Sequence, residues 1–285
     1  MRLTSAIRIL IPAAVLAVGI LVCSPMVLPI GAQVRPGPMP PPVNAPPTVL
    51  IDMNAKPDPP PIPAQEIVKR FSQNEDAIFL AHGNYGFHRT VRVQEFDETG
   101  KTIGELLLST DWVRSPDGRF YETGEKHPES TLRHLDLDIE HMDILQKIPP
   151  LPFTTPEIAK YDFVYAGTQK LDELTTYIFQ VHPKQVDRTH AYFDGVIWVD
   201  SQDFVIVKTT GRWQTELGDV STVQFPFKSF DTYRENIEGK IWFPNYMRSD
   251  EYISTKTGMI NVRLTVRWEN YKARASASAA PASHN

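Results

Sequence analysis

The sequence predicts a mainly β (α+β) domain: a single strongly curved antiparallel sheet forming a half-barrel, with helices covering the concave side. Three observations lead there. From Ile260 to Tyr271, Ile260, Val262, Leu264, Val266 and Trp268 alternate with Asn261, Arg263, Thr265, Arg267 and Glu269, which puts the apolar side chains on one face of a half-buried strand. Similar segments recur along most of the chain, joined by turn-forming residues, as in antiparallel hairpins. The pair Val196-Ile197-Trp198-Val199 and Phe204-Val205-Ile206-Val207 is apolar on both faces, so both faces need covering, one by helices and the other by packing at the centre of a curved sheet.

In chain order, residues 1–32 read as a signal peptide. Arg2 and Arg8 precede the apolar run Ile9 to Val22, and Ile30-Gly31-Ala32 before Gln33 suits cleavage. An uncleaved anchor is the alternative, because Ile9 to Ala32 is almost uncharged, although Pro12, Pro25 and Pro29 interrupt it. Cys23, the only cysteine, lies in this region, so the expected mature protein has neither disulfide nor thiol. A lipid on Cys23 is a further alternative, weakened by the bulky Val22 before it. Residues 33–63 form a proline-rich segment, with twelve prolines between Arg35 and Pro63, expected as an extended polyproline II spacer.

The domain is expected over 64–272. It opens with an amphipathic helix from Ala64 to Ala81, with Ile67, Val68, Phe71 and Ile78 at helical spacing, Pro63 at its start and Gly83 past its end. Strands follow near Tyr85 to Phe96, Ile103 to Val113 and Arg119 to Thr123. Ser130 to Ile148 fits a helix through Leu132, Leu135, Ile139, Met142 and Leu145, while Leu135 to Ile139 also alternates like a strand; the length and the stop at Pro149-Pro150 favour the helix. A short helical turn is expected near Thr155 to Lys160. Further strands are expected near Tyr161 to Gly167, Thr175 to His182, Tyr192 to Val199, Phe204 to Trp213, Val220 to Tyr233, Lys240 to Met247 and Gly258 to Tyr271. Residues 273–285, rich in Ala and Ser, read as a disordered tail.

The chain carries 29 Lys+Arg against 34 Asp+Glu, an acidic balance that excludes nucleic acid as a natural partner. Catalytic signatures are weak. His134 and Asp138 would stand at i,i+4 on a helix as metal ligands, but without an H-E-x-x-H pattern they read as a solvated face. Asp194, Asp200 and Asp203 frame the apolar hairpin; an acid–base pair is one reading, and turn capping for Asp200 and Asp203 the simpler one. His182 and His190 have no nucleophile elbow beside them. No cofactor is implied.

Tyr161-Asp162-Phe163-Val164-Tyr165-Ala166-Gly167, the stretch from Tyr177 to Lys184 ending Val-His-Pro-Lys, Tyr192 to Asp200, Lys240-Ile241-Trp242-Phe243-Pro244 and the closing alternating strand together resemble the outer-membrane lipoprotein-sorting proteins. The resemblance runs from about Ala64 to Lys272. It implies a periplasmic half-barrel that binds lipid, a fold shared by lipoprotein carriers, receptors and regulators that sense mislocalised lipoprotein. The proline-rich segment and the long insertion around Ser130 to Pro156 depart from the carriers, and no cargo-contacting residue carries over. The expectation is a monomeric, non-enzymatic periplasmic protein that binds an acyl chain or a lipoprotein's lipid, with Phe179, Val181, Trp198, Ile206, Val262, Leu264, Val266 and Trp268 as candidate cavity wall. A regulatory or scaffold protein contacting another envelope protein is the alternative, and a hydrolase of envelope glycan or lipid the third.

Overall fold

A computed structural model describes residues 35–42, 57–114, 120–124, 129–137, 141–142, 145, 153–187, 191–214, 226–255 and 258–273. The signal region, its alternatives and the tail after 273 lie outside them. Helix α1 (Ala64–His82) comes first, followed by β1 (Tyr85–Phe96), β2 (Thr102–Arg114) and β3 (Phe120–Gly124). A one-turn helix, α2 (Thr155–Ile158), precedes β4 (Tyr161–Leu171), β5 (Leu174–Pro183), β6 (Tyr192–Asp200), β7 (Ile206–Gln214), β8 (Ser229–Ile237), β9 (Ile241–Thr255) and β10 (Gly258–Ala273). All ten strands form one open sheet in the order β3-β2-β1-β10-β9-β8-β7-β6-β5-β4, every pairing antiparallel.

The sheet has to curve. Laid flat, ten strands about 4.8 Å apart span roughly 43 Å, yet Ile67 and Phe71 of α1 belong to one apolar cluster with residues from β1, β2 and every strand from β4 to β10. A half-barrel wrapped around its helix lets all of them share a core. A smaller cluster lies on the other face, built on Ile178, Val196, Trp198, Val207 and Trp242, so the doubly apolar β6–β7 pair is covered on both sides.

β3 and β4 are neighbours in sequence but opposite edges of the sheet. The chain between them therefore crosses the full width, and it does so over the concave side: Leu132, Leu135, Leu137, Met142, Leu145, Phe153 and Ile158 all join the main cluster. The expected helix from Ser130 is corrected in its first half. Ser130 bridges Leu106, residues 131–137 are non-helical, and helical backbone appears at His141, Met142 and Leu145. The cause is Glu95, whose carboxylate accepts the backbone N–H groups of Arg133, His134 and Leu135 at 2.7–2.8 Å and holds those amides out of a helical ladder.

Of the strand expected from Val220, residues 220–225 lie outside the described residues; β8 runs from Ser229, after Pro226, which has no N–H to give a ladder, and Phe227, which turns into the core. The described part of the proline-rich segment lies against the domain. Arg35 forks onto Asp200 at 2.9 and 3.0 Å and reaches Asp203 at 2.7 Å. Asn236 N–H donates to the Pro36 carbonyl, Met39 N–H donates to Asp172, and Pro38 is buried.

Candidate functional site

Strand phase assembles the concave wall. Tyr165, Phe179, Ile197, Thr209, Thr232, Met247, Val266, Val91 and Leu108 are successive cross-strand partners from β4 to β2, and direct antiparallel partners share a face. The row is apolar except at its middle, where the Thr209 and Thr232 hydroxyls bond each other at 2.6 Å. Phe179, Val181, Ile206, Val262, Leu264, Val266 and Trp268 all belong to this face, with no more than 5% exposure each. Trp198 does not. It points to the opposite face, where its indole N–H donates to Gln169 and the Lys208 ammonium sits 4.6 Å over its ring.

The wall is roofed by pieces outside the sheet. Phe71 of α1 packs edge-on against Phe163 and Phe179, and Phe153 packs the same way against Tyr161, Phe163 and Phe193. Polar tethers hold the roof at particular points. Glu75 of α1 and Arg234 of β8 form a buried bidentate pair at 2.5 and 2.9 Å. Asn74 donates to the Asp203 and Phe204 carbonyls, and Asp76 accepts from the Thr155 amide and hydroxyl at the start of α2. Glu95 pins the crossing segment; burial alone would raise its pKa, but the three backbone N–H groups and the His134 ring outweigh burial and hold it below the ordinary carboxylate value. At the end of α1, His82 is enclosed by Phe87, Phe243 and Tyr271. Burial, with a smaller contribution from Arg234, lowers its pKa to about 4.

Sequence reasoning missed Glu95, Glu75, Arg234 and a second buried charge on β1, Arg89. For the β1 residues a signal existed: Arg89 and Glu95 stand in phase with Val91 and Val93, and a charged residue in phase with core positions marks a buried polar contact.

The other sequence candidates that are described resolve into local structure; His190 lies outside the described residues. His134 is not on a helix, so the i,i+4 ligand geometry does not arise; Asp138 lies outside the described residues. Asp200 accepts the amides of Gln202 and Asp203, as a turn residue does. Asp194 is held by His182 at 2.5 Å and by Gln214 and Arg212. Among the described residues no cluster of three His, Cys, Asp or Glu is set to hold a metal ion, and no helix is long and apolar enough to cross a membrane. A cleft of about 460 Å³ opens on the convex face, with His182, Asp194, Arg212, Asp231, Arg248 and Asp250 among its lining. Charged side chains of both signs stand around it, beside apolar surface from Val196 and Phe230.

No family model matches the chain, and no curated protein matches it. Among solved structures, a DUF1329 family protein from Desulfovibrio piger is 15% identical, with 76% of this chain and 95% of that chain covered at a TM-score of 0.38. A LolA superfamily protein from Nitrosomonas europaea is 14% identical, covering 75% and 94% at 0.33. A protein described as an outer membrane lipoprotein-sorting domain from Vibrio parahaemolyticus is 11% identical, covering 76% and 92% at 0.32. The likeness is to architecture alone.

Proposed function

We propose that this chain is exported and, as a non-enzymatic carrier or sensor in the periplasm, holds a lipid acyl chain or a lipoprotein's lipid on the concave face of its half-barrel. The observation that carries the reading is the row that runs in register across nine strands and is apolar except at the Thr209–Thr232 pair, covered by elements that are not part of the sheet. In the closed arrangement the protein's own side chains fill that face, so a ligand enters by displacing part of the roof. The energies permit the exchange: a buried acyl chain returns about 0.8 kcal/mol per CH₂, or about 9 kcal/mol for twelve carbons, against about 1.5–3 kcal/mol for each roof side chain such as Ile67 or Phe71 that it replaces. Delipidated protein is expected to take up a fluorescent fatty acid saturably, and native mass spectrometry of protein from its own host to show a copurified lipid. Absence of both would sink the reading. Export is tested by sequencing the mature N-terminus: a start near Gln33 supports it, whereas an intact Met1 or a diacylated Cys23 in the membrane fraction replaces free periplasmic location with anchoring.

The second reading, a regulatory or scaffold protein that contacts another envelope protein, is favoured by one observation. The concave residues are buried like ordinary core, while α1 turns Phe79 (60% exposed) and Leu80 (73% exposed) outward. Under that reading Phe79→Ser with Leu80→Ser abolishes partner capture without touching acyl uptake.

A further inference from the structure

We propose that Arg89 is a head-group site: it receives the anionic end of a single-chain amphiphile, a carboxylate or a phosphate, whose hydrocarbon lies along the concave row. This rests on the acyl-binding reading and adds what the ligand's other end must be. Arg89 lies on the same face as Val91 and Val93, one step along β1 from the apolar row. Its direct cross-strand partners are Trp268 on β10 and Thr110 on β2, and its guanidinium stands 5.7 Å over the Trp112 ring. At 4% exposure it is a cation set into an apolar wall, and burial lowers its pKa despite the opposing pull of Glu122.

The surroundings suit an exchange of anions. Arg89 is paired with Glu122 at 2.7 Å, and Glu122 lies on the five-residue edge strand β3 with its side chain 26% exposed, so the guanidinium is approached from the rim of the sheet. Beside it the Thr110 hydroxyl is buried and has no hydrogen-bond partner among the described residues, a donor that a second oxygen of a carboxylate or phosphate would satisfy. A ligand oxyanion that takes the place of Glu122 keeps the guanidinium neutralised, gains the threonine, and releases the Glu122 carboxylate to water. An uncharged head group cannot make that exchange without leaving a buried charge unpaired.

The test compares ligands of one chain length. Dodecanoate and a lysophosphatidate are expected to bind the wild-type protein about tenfold or more tightly than dodecanol, the scale of a charge-assisted hydrogen bond; which of the two anions binds tighter identifies the head group. Acetate and inorganic phosphate, lacking the chain, are expected not to compete. Arg89→Gln should abolish the preference while dodecanol still binds, and Arg89→Lys should restore part of it. Glu122→Gln, which removes the competing carboxylate, should raise affinity for the anions and not for dodecanol, a gain that a purely structural ion pair would not produce. If Arg89→Gln fails to fold, Glu122→Gln decides. Equal binding of acid and alcohol by the wild type, or unchanged selectivity in Glu122→Gln, overturns the head-group assignment and leaves the acyl-binding reading standing. Failure of all three ligands to bind overturns both.

Discussion

Glu95 places a carboxylate where the β1 pattern calls for an aliphatic side chain, and three backbone amides justify it. Glu95→Gln keeps the shape but loses the charge, so the three bonds weaken at a cost of about 1–3 kcal/mol. Hydrogen exchange should show the amides of Arg133, His134 and Leu135 losing protection while those of β9 and β10 keep theirs. The native carboxylate has a depressed pKa, so its contribution is complete above the ordinary value of 4.5 and is lost as pH falls below it. His82 acts over a higher window. It stays neutral in the fold down to about pH 4 and takes a proton near 6.5 when unfolded; its contribution is full above 6.5 and falls away between 6.5 and 4, by about 3 kcal/mol. Denaturant midpoints measured across that range should decline, and His82→Leu should flatten the decline. An unchanged pH profile in His82→Leu would refute the assignment.

At the scale of elements, β10 offers the cleanest comparison, since Leu264 is fully buried on the concave face and Thr265 is half-buried on the convex one. Leu264→Ala should cost about 2–5 kcal/mol and Thr265→Ala under about 1 kcal/mol in denaturant melts. The attachment of α1 has its own test. Glu75→Gln or Arg234→Met alone leaves a buried charge without its partner and should cost about 3–5 kcal/mol, whereas Glu75→Leu combined with Arg234→Met should cost less than either. The strands and α1 were legible because their pattern repeats with a fixed period, and seven of the eight candidate wall residues share a face for the same reason. Trp198 was not placed, because in a segment apolar on both sides periodicity carries no phase. The crossing segment was misread as helix from Ser130 because its conformation is set by a glutamate 38 residues earlier in the chain, which no local pattern reports. Gly195 and Gly211 also gave no warning. They are direct cross-strand partners, and a Cβ on Gly211 would stand 2.5 Å from the Phe193 ring; the pair is flat because that ring lies across it.

For the molecule as a whole, the sheet order sets the sequence of events in folding. Strands β4 to β10 pair each with its successor, but β1 to β3 are joined to the rest only through β1 and β10. The first hairpin leaves the ribosome early and must wait for the last strand, with Val91, Val93, Leu106 and Leu108 on a two- to three-stranded ribbon that is marginal by itself. Pairing so distant in sequence makes folding slow, in the millisecond-to-second class of all-β domains. A chain ending at residue 257, without β10, should show no cooperative unfolding transition and should aggregate where the full domain refolds. Until β10 arrives, the nascent chain presents a bare edge on β1 and another on β9, and each is a template for a neighbouring copy. The burden on whatever escorts this chain before it folds is therefore set by its final strand.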